Sequence, residues 1–181
     1  MRSRGPQPRD GKMAPMTQSP PHVDSPVICP LQKVEPAWID YNGHLNMAFY
    51  HVLFDRALDY VYDLLGVGES YVVSGGGSCF TLEVHVNYLR ELINGEPVRI
   101  TFQLLDFDTK RLHFFEHMYH GEEGHLVATS EQLALHVAME SRRAAEFPAD
   151  ALQRITRMFE QHRTLERPEQ AGRAIGIRRK P

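Results

Sequence analysis

Met47-Ala-Phe-Tyr-His-Val-Leu-Phe-Asp-Arg-Ala-Leu-Asp-Tyr-Val-Tyr-Asp-Leu-Leu65, closed by Gly66, is the stretch on which the reading of the fold turns. Its apolar positions Met47, Tyr50, Phe54, Ala57, Leu58, Val61, Leu64 and Leu65 recur at helical spacing. Asp55, Arg56, Asp59 and Asp63 fall mostly between them. Gly66 supplies a C-terminal stop, because a residue without Cβ takes the left-handed conformation that ends helices at little cost. A helix of roughly 20 residues is ~30 Å long, enough to cross one face of a small sheet. The expected buried stripe is Tyr50, Phe54, Leu58, Val61 and Leu65.

Toward the C-terminus the glycines Gly75, Gly76 and Gly77 read as a flexible link, after which the period changes to two. Phe80, Leu82, Val84, Val86 and Tyr88 alternate with Thr81, Glu83, His85 and Asn87, the pattern of a half-buried strand. Residues 98–106, 111–120 and 126–137 repeat it. Short turns at 106–109 and 121–124 join them, as in an antiparallel meander. An amphipathic helix follows at 149–162. Toward the N-terminus, Val27 to Val34 reads as a short strand ended by Pro36. One long helix against an antiparallel sheet is an α+β arrangement. The division that results is a disordered arm over 1–26, rich in proline, a single domain over 27–140, a C-terminal helix within 141–163 and a basic tail over 164–181.

The chain has 181 residues, 42% hydrophobic and 24% charged, which fits one compact soluble domain with tails. No apolar run approaches the ~20 residues of a membrane span. Two cysteines cannot form a disulfide scaffold, and no apolar leader follows the N-terminal arginines, so a cytoplasmic location is expected. Arg2, Arg4, Arg9 and Lys12 make one end basic, and Arg167, Arg173, Arg178, Arg179 and Lys180 the other, yet the net charge is -3. The body is therefore acidic. A nucleic-acid partner would ask for the reverse.

Immediately before the helix stands the densest polar cluster in the chain, Trp38-Ile-Asp-Tyr-Asn-Gly-His-Leu-Asn46. A helix start presents unpaired N–H groups and the positive end of the macrodipole, and so stabilises an anion or a developing oxyanion. Asp40, Asn42, His44 and Asn46 bring a base, two amides and an imidazole to that end. Such a loop is equipped to activate water and polarise a carbonyl. The simpler roles for Asp40 and Asn46 are turn and N-cap, which both residue types favour.

Asp40-x-Asn42-x-His44-x-Asn46 ahead of a long helix resembles the catalytic loop of the hotdog-fold thioesterases. Asp40, Asn42 and His44 match the spacing in acyl-ACP thioesterases, and Asp40, Gly43 and Tyr50 fall where the 4-hydroxybenzoyl-CoA thioesterase pattern has its aspartate, loop glycine and helix tyrosine. At closer range the loop, Phe80-Thr-Leu-Glu83, Tyr88-Leu-Arg-Glu91, Gln103-Leu-Leu-Asp106, Lys110-Arg-Leu-His113 and the tail Gly172-Arg-Ala-Ile-Gly-Ile-Arg178 are similar to the thioesterases of carnitine breakdown, which hydrolyse betainyl-CoA. The resemblance implies an antiparallel sheet wrapped around the helix and a homodimer joined sheet edge to sheet edge, often paired into tetramers. The active sites would lie at the seam, with no metal and no cofactor beyond the coenzyme A of the substrate. It makes Asp40 the base or nucleophile, with Asn42 and His44 orienting it or the water and the helix start near Asn46 as oxyanion donor. A cationic acyl group would be met by aromatic faces near the loop, for which Trp38, Tyr41, Phe49 and Tyr50 are the candidates beside Gly43.

Arg90, Lys110 and Arg111 are candidates for the phosphates of coenzyme A, against the alternative of ordinary surface charge. His113 and His117 share a strand face but lie about 13 Å apart, and His120 points the other way, so a metal site is not expected. Glu83 and His85 share a face and read as polar residues on an open sheet surface. Cys79 reads as a core or edge thiol rather than a nucleophile. Two other functions compete: a non-catalytic acyl-CoA binder or sensor that kept the pocket, and a hotdog dehydratase or hydratase. The latter resemble Asp-x-Asn-x-x-His, so His44 stands one residue too early.

Overall fold

The computed structural model describes residues 25–177. The arm expected over 1–26 therefore lies outside the described residues except for Ser25 and Pro26, and the basic tail is described as far as Ile177. The long helix α1 spans Met47–Leu65, with Gly66 left-handed at φ 77° as its stop. It buries Tyr50, Phe54, Leu58, Val61 and Leu65, joined by Leu53, Ala57 and Tyr62. Chain order gives β1 (Val27–Ile28), β2 (Gln32–Lys33), α1, α2 (Glu69–Val73), β3 (Gly77–Tyr88), β4 (Pro97–Phe107), β5 (Arg111–His120), β6 (Leu126–Ala138), β7 (Arg143–Ala144) and α3 (Ala149–His162). The sheet is antiparallel with order β1-β4-β5-β6-β3; β2 also pairs with β4, and β7 with β6. Ile100, Phe102, Leu104, Phe114, Met118, Ala128 and Ala134 belong to one core with the buried stripe of α1. Ala151, Ile155 and Met158 of α3 complete that core.

Three expectations change. The strand read over 27–34 is two short pieces separated by Cys29, Pro30 and Leu31, since a proline cannot donate to the ladder. The glycine link is closely packed: a Cβ on Gly76 would collide with the ring of Tyr71, and one on Gly77 with that of His136. These two rings are hydrogen-bonded, Tyr71 Oη to His136 Nε2, at 3.2 Å. The third change concerns β3. Its register with β6 shifts between Thr81 and Glu83, leaving Leu82 as an extra residue. Such a bulge reverses the facing of everything beyond it. Val84, Val86 and Tyr88 stand opposite Gln132, Ser130 and Ala128 on the helix side, whereas Phe80 stands opposite Leu135 on the outer side. The apolar alternation therefore does not describe one face.

Within the core lies one carboxyl group. Glu116 is fully buried; its Oε2 accepts from Gln132 Nε2 at 2.8 Å, and Gln132 Nε2 also donates to Ser130 Oγ at 3.0 Å. Burial raises the Glu116 pKa well above its ordinary value of 4.5, with the charge of Asp55 adding to the effect. The folded state thus holds a proton that the unfolded chain releases above pH 4.5, and stability falls as pH rises from there toward the folded-state pKa, by up to ~1.4 kcal/mol per pH unit. Glu116→Gln removes this slope. Thermal melts should show the variant gaining on the wild type as pH rises from about 5 to 8, with the gain gone near pH 4. Parallel profiles for the two proteins would show that this carboxyl titrates at its ordinary pH.

Candidate active site

The polar loop folds as a tight reversal. Asp40 N donates to His44 O, Gly43 N to Asp40 O and Asn46 N to Trp38 O, each at 3.0 Å, and Gly43 makes the turn at φ 85°. A side chain there would be forced into the left-handed region. The Asp40 carboxylate spans its own turn: Oδ1 accepts from Asn42 N at 2.7 Å, and Oδ2 has only a long contact of 3.5 Å with Asn42 Nδ2. One oxygen is held closely and the other only by that long contact. Leu45 N donates to Leu92 O at 2.7 Å, which fastens the loop to the segment leaving β3.

Asn46 is the N-cap of α1, its side chain accepting from Ala48 N at 3.0 Å, while its backbone oxygen accepts from Phe49 N at 3.0 Å. Met47, the first helical residue, lines the cleft at this end.

Between the loop, the helix start and the end of β3 is a cleft of about 510 Å³. Asp40, Tyr41, His44, Asn46, Tyr50 and Arg90 line it, together with Met47, Tyr88 and Glu91, which the sequence reading did not assign to the site. Tyr50 and Tyr88 meet edge to face with centroids 5.1 Å apart. Tyr50 Oη donates to Arg90 O at 3.3 Å, and Tyr88 Oη lies 3.4 Å from His51 Nε2. Burial pushes the Tyr50 hydroxyl up to about 12 and raises that of Tyr88, so both rings are neutral at physiological pH. Tyr88 could have been found from sequence, because its place at the end of the strand that follows the glycines brings it back to the helix start.

Trp38 and Phe49 are placed elsewhere. Their rings stack at 5.4 Å, and the Arg56 guanidinium sits 4.9 Å from the Trp38 ring, so the indole is engaged within the fold. Asn42 and Gly43 are exposed on the turn. Lys110 and Arg111 begin β5 at the far end of the sheet. Arg111 lies seven residues along β5 from Met118, whose partner Ala128 pairs with Tyr88, about 23 Å of strand. Arg111 pairs instead with Asp108 at 2.6 Å.

The remaining polar candidates have structural partners. His113 Nε2 lies 2.8 Å from Glu131 Oε1, His117 is between the rings of Phe115 and Tyr119, and His120 Nδ1 accepts from Glu123 N at 3.1 Å. Glu83 and His85 line a groove on the outer face of the sheet. Burial holds the Cys79 thiol up at about 12, far from a reactive thiolate.

A long helix laid on an antiparallel sheet, with an Asp-bearing turn at the helix start, defines a hotdog-fold thioesterase. Residues 34–155 match the model of the thioesterase-like superfamily, and the chain belongs to that family. It is 42% identical over 144 residues to a betainyl-CoA thioesterase of Pseudomonas aeruginosa, covering 80% of this chain and 91% of the relative. It is 37% identical to an L-carnitine dehydrogenase/betainyl-CoA thioesterase of Rhizobium meliloti, covering 81% of this chain but only 29% of that longer protein. A Staphylococcus aureus protein solved in complex with CoA superposes with a TM-score of 0.79 at 29% identity, over 88% of this chain and 100% of that one. A Pseudomonas putida structure gives 0.74 at 34% identity, over 85% and 98% of the two chains. No helix among the described residues is long and apolar enough to cross a membrane.

The capping geometry carries its own expectation. Asn46→Ala should cost about 1 kcal/mol in urea unfolding, within the ~0.5–2 kcal/mol range for lost N-caps, and Asn46→Ser should restore most of it. An alanine variant as stable as the wild type would mean that the cap contributes nothing to the helix.

Proposed function

We propose that the protein hydrolyses a small cationic acyl-CoA, betainyl-CoA foremost, with Asp40 as the base or nucleophile. The observation that carries this reading is the 42% identity to a betainyl-CoA thioesterase over 91% of its length, coupled with an Asp40 carboxylate that lines the cleft and has one oxygen only weakly held. As a base, Asp40 takes a proton from water while the water oxygen adds to the thioester carbon. As a nucleophile, Oδ2 adds to that carbon and water then cleaves the anhydride. Either way the C–S bond breaks and coenzyme A leaves as a thiolate, which needs little assistance. Ala48 and Phe49 amides are taken by Asn46, so Met47 N is the helix-start donor for the developing oxyanion. His44 and Asn42 hold the loop and the water.

A trimethylammonium group donates no hydrogen bonds and is held by ring faces and carboxylates. In this cleft those are Tyr41, Tyr50, Tyr88 and Glu91, so the aromatic role passes from Trp38 and Phe49 to the tyrosines. Arg90 is the cleft's own cation for a coenzyme A phosphate.

The protein acts as a homodimer joined through β3, with pairing of dimers into tetramers as the family resemblance implies. This strand ends the sheet, and Phe80, Leu82, Val84 and Tyr88 are all exposed along it. An open edge bearing apolar side chains on both faces calls for a partner. Antiparallel pairing of two β3 strands carries the far end of the partner's sheet, where Lys110 and Arg111 lie, toward the Tyr88 end of this one. The cytoplasm is its place, in keeping with free Cys29 and Cys79.

Two measurements test this reading. Asp40→Asn should lower turnover about 10²- to 10⁴-fold with folding intact, and turnover within a few-fold of wild type would leave Asp40 as a turn residue only. Separately, kcat/KM for betainyl-CoA should exceed that for its neutral isostere 3,3-dimethylbutyryl-CoA by more than about tenfold, and Tyr88→Leu should erode the preference by about 2- to 30-fold. Equal rates on the two esters would remove the cation from the proposal and leave a general thioesterase.

A further inference from the structure

The chain after α3 crosses the outer face of the sheet in one direction, strand by strand. Gln103, Phe115, Glu131 and His85 form a single row across β4, β5, β6 and β3, each paired with the next. The tail follows that row. Gln103 Nε2 donates to Glu166 O at 3.3 Å, Pro168 is buried, and Gly172 N donates to Glu131 Oε2 at 2.7 Å. The other oxygen of Glu131 is on His113, so the glutamate clips the tail to the sheet. Gly172, Arg173 and Ala174 then line a groove with Glu83, Val84 and His85 of β3.

At Ala174 the chain has reached the last strand. Three further residues, fully extended, would span about 10 Å, or two strand spacings. They include Ile175 and Ile177, with 91% and 88% of their surfaces in solvent. Two isoleucines that follow a segment beside the edge strand are thus left uncovered by their own protomer.

We infer that the segment Gly172–Ile177 is an arm that crosses the β3 edge and packs Ile175 and Ile177 on the outer face of a second copy of this chain. The inference rests on the edge-paired dimer proposed above. It is supported by charge. The two grooves of the outer face carry Glu83 and Asp106, besides Asp108, which pairs with Arg111, and Glu131, which pairs with His113; the arm carries Arg173, followed in sequence by Arg178, Arg179 and Lys180. A symmetric pair would exchange two arms across one seam, each laying basic residues toward the other's acidic face.

The test is the dimer dissociation constant from analytical ultracentrifugation of the full chain, of a chain truncated after Arg173, and of the Ile175→Asp/Ile177→Asp double variant. Both changes leave the Glu131–Gly172 clip and the core untouched, which circular dichroism verifies. The expected result is a dimer in the wild type and a dissociation constant raised at least tenfold in both variants, with slow hydrogen exchange of the 174–177 amides in the dimer only. Variants that associate within twofold of wild type would overturn the arm while leaving the edge-paired dimer in place. A wild type that stays monomeric at every concentration would overturn the edge pairing, and the arm with it.

Discussion

The backbone bond from Leu45 N to Leu92 O, 2.7 Å long, is the constraint on which the site depends. It joins the turn before α1 to the chain leaving β3, which Tyr50 of the helix also holds through Arg90 O. With that bond made, Asp40 faces Tyr88 and Arg90 across a short gap, and the helix start opens into the same space. The sheet fixes one side of this arrangement and the helix the other. The helix is itself held at both ends, by Asn46 at its start and at its finish by Arg154 of α3, whose Nη1 donates to Leu65 O at 3.3 Å. A cation at the carboxyl end of a helix is favourably placed against the macrodipole.

Much of the fold was legible because its elements are amphipathic at a single period. α1, β5 and α3 begin and end where the periodicity does, since Gly66, the polar turns and Pro148 mark their limits. The turn before the helix was legible for another reason: Asp40, Asn42 and Gly43 are turn-forming residues beside a helix start, and the backbone there is a reversal. What escaped was non-local. Whether Trp38 faces substrate or Arg56 depends on a residue eighteen places away in the chain, and no periodicity reports it. The charge of Arg111 is plain in the sequence, while its distance from the cleft of its own protomer is a property of strand pairing. Glu116 was missed because it occupies an ordinary inward position of β5, where the pattern alone would have called for an apolar residue.

The two faces of the sheet serve different ends. The helix side is a closed core with the buried carboxyl of Glu116 inside it, and it holds the cleft at one end. The outer side carries the returning chain, with His113 and Glu131 as its fixed point. β3 serves both, because its bulge at Leu82 shifts the phase of its alternation, so that Phe80 faces outward while Val84, Val86 and Tyr88 face the helix side.

That bulge has a bearing on how this strand can diverge. Even-numbered residues face outward before Leu82 and inward after it, so the two halves meet opposite demands at the same parity of position. A one-codon deletion at the bulge would be far more disruptive than most point changes, since it would invert one half of the strand at a stroke. Relatives that lack the extra residue would have to differ in their inward and outward choices on one side of it, and an alignment drawn by hydrophobic alternation alone would place them a residue out of phase.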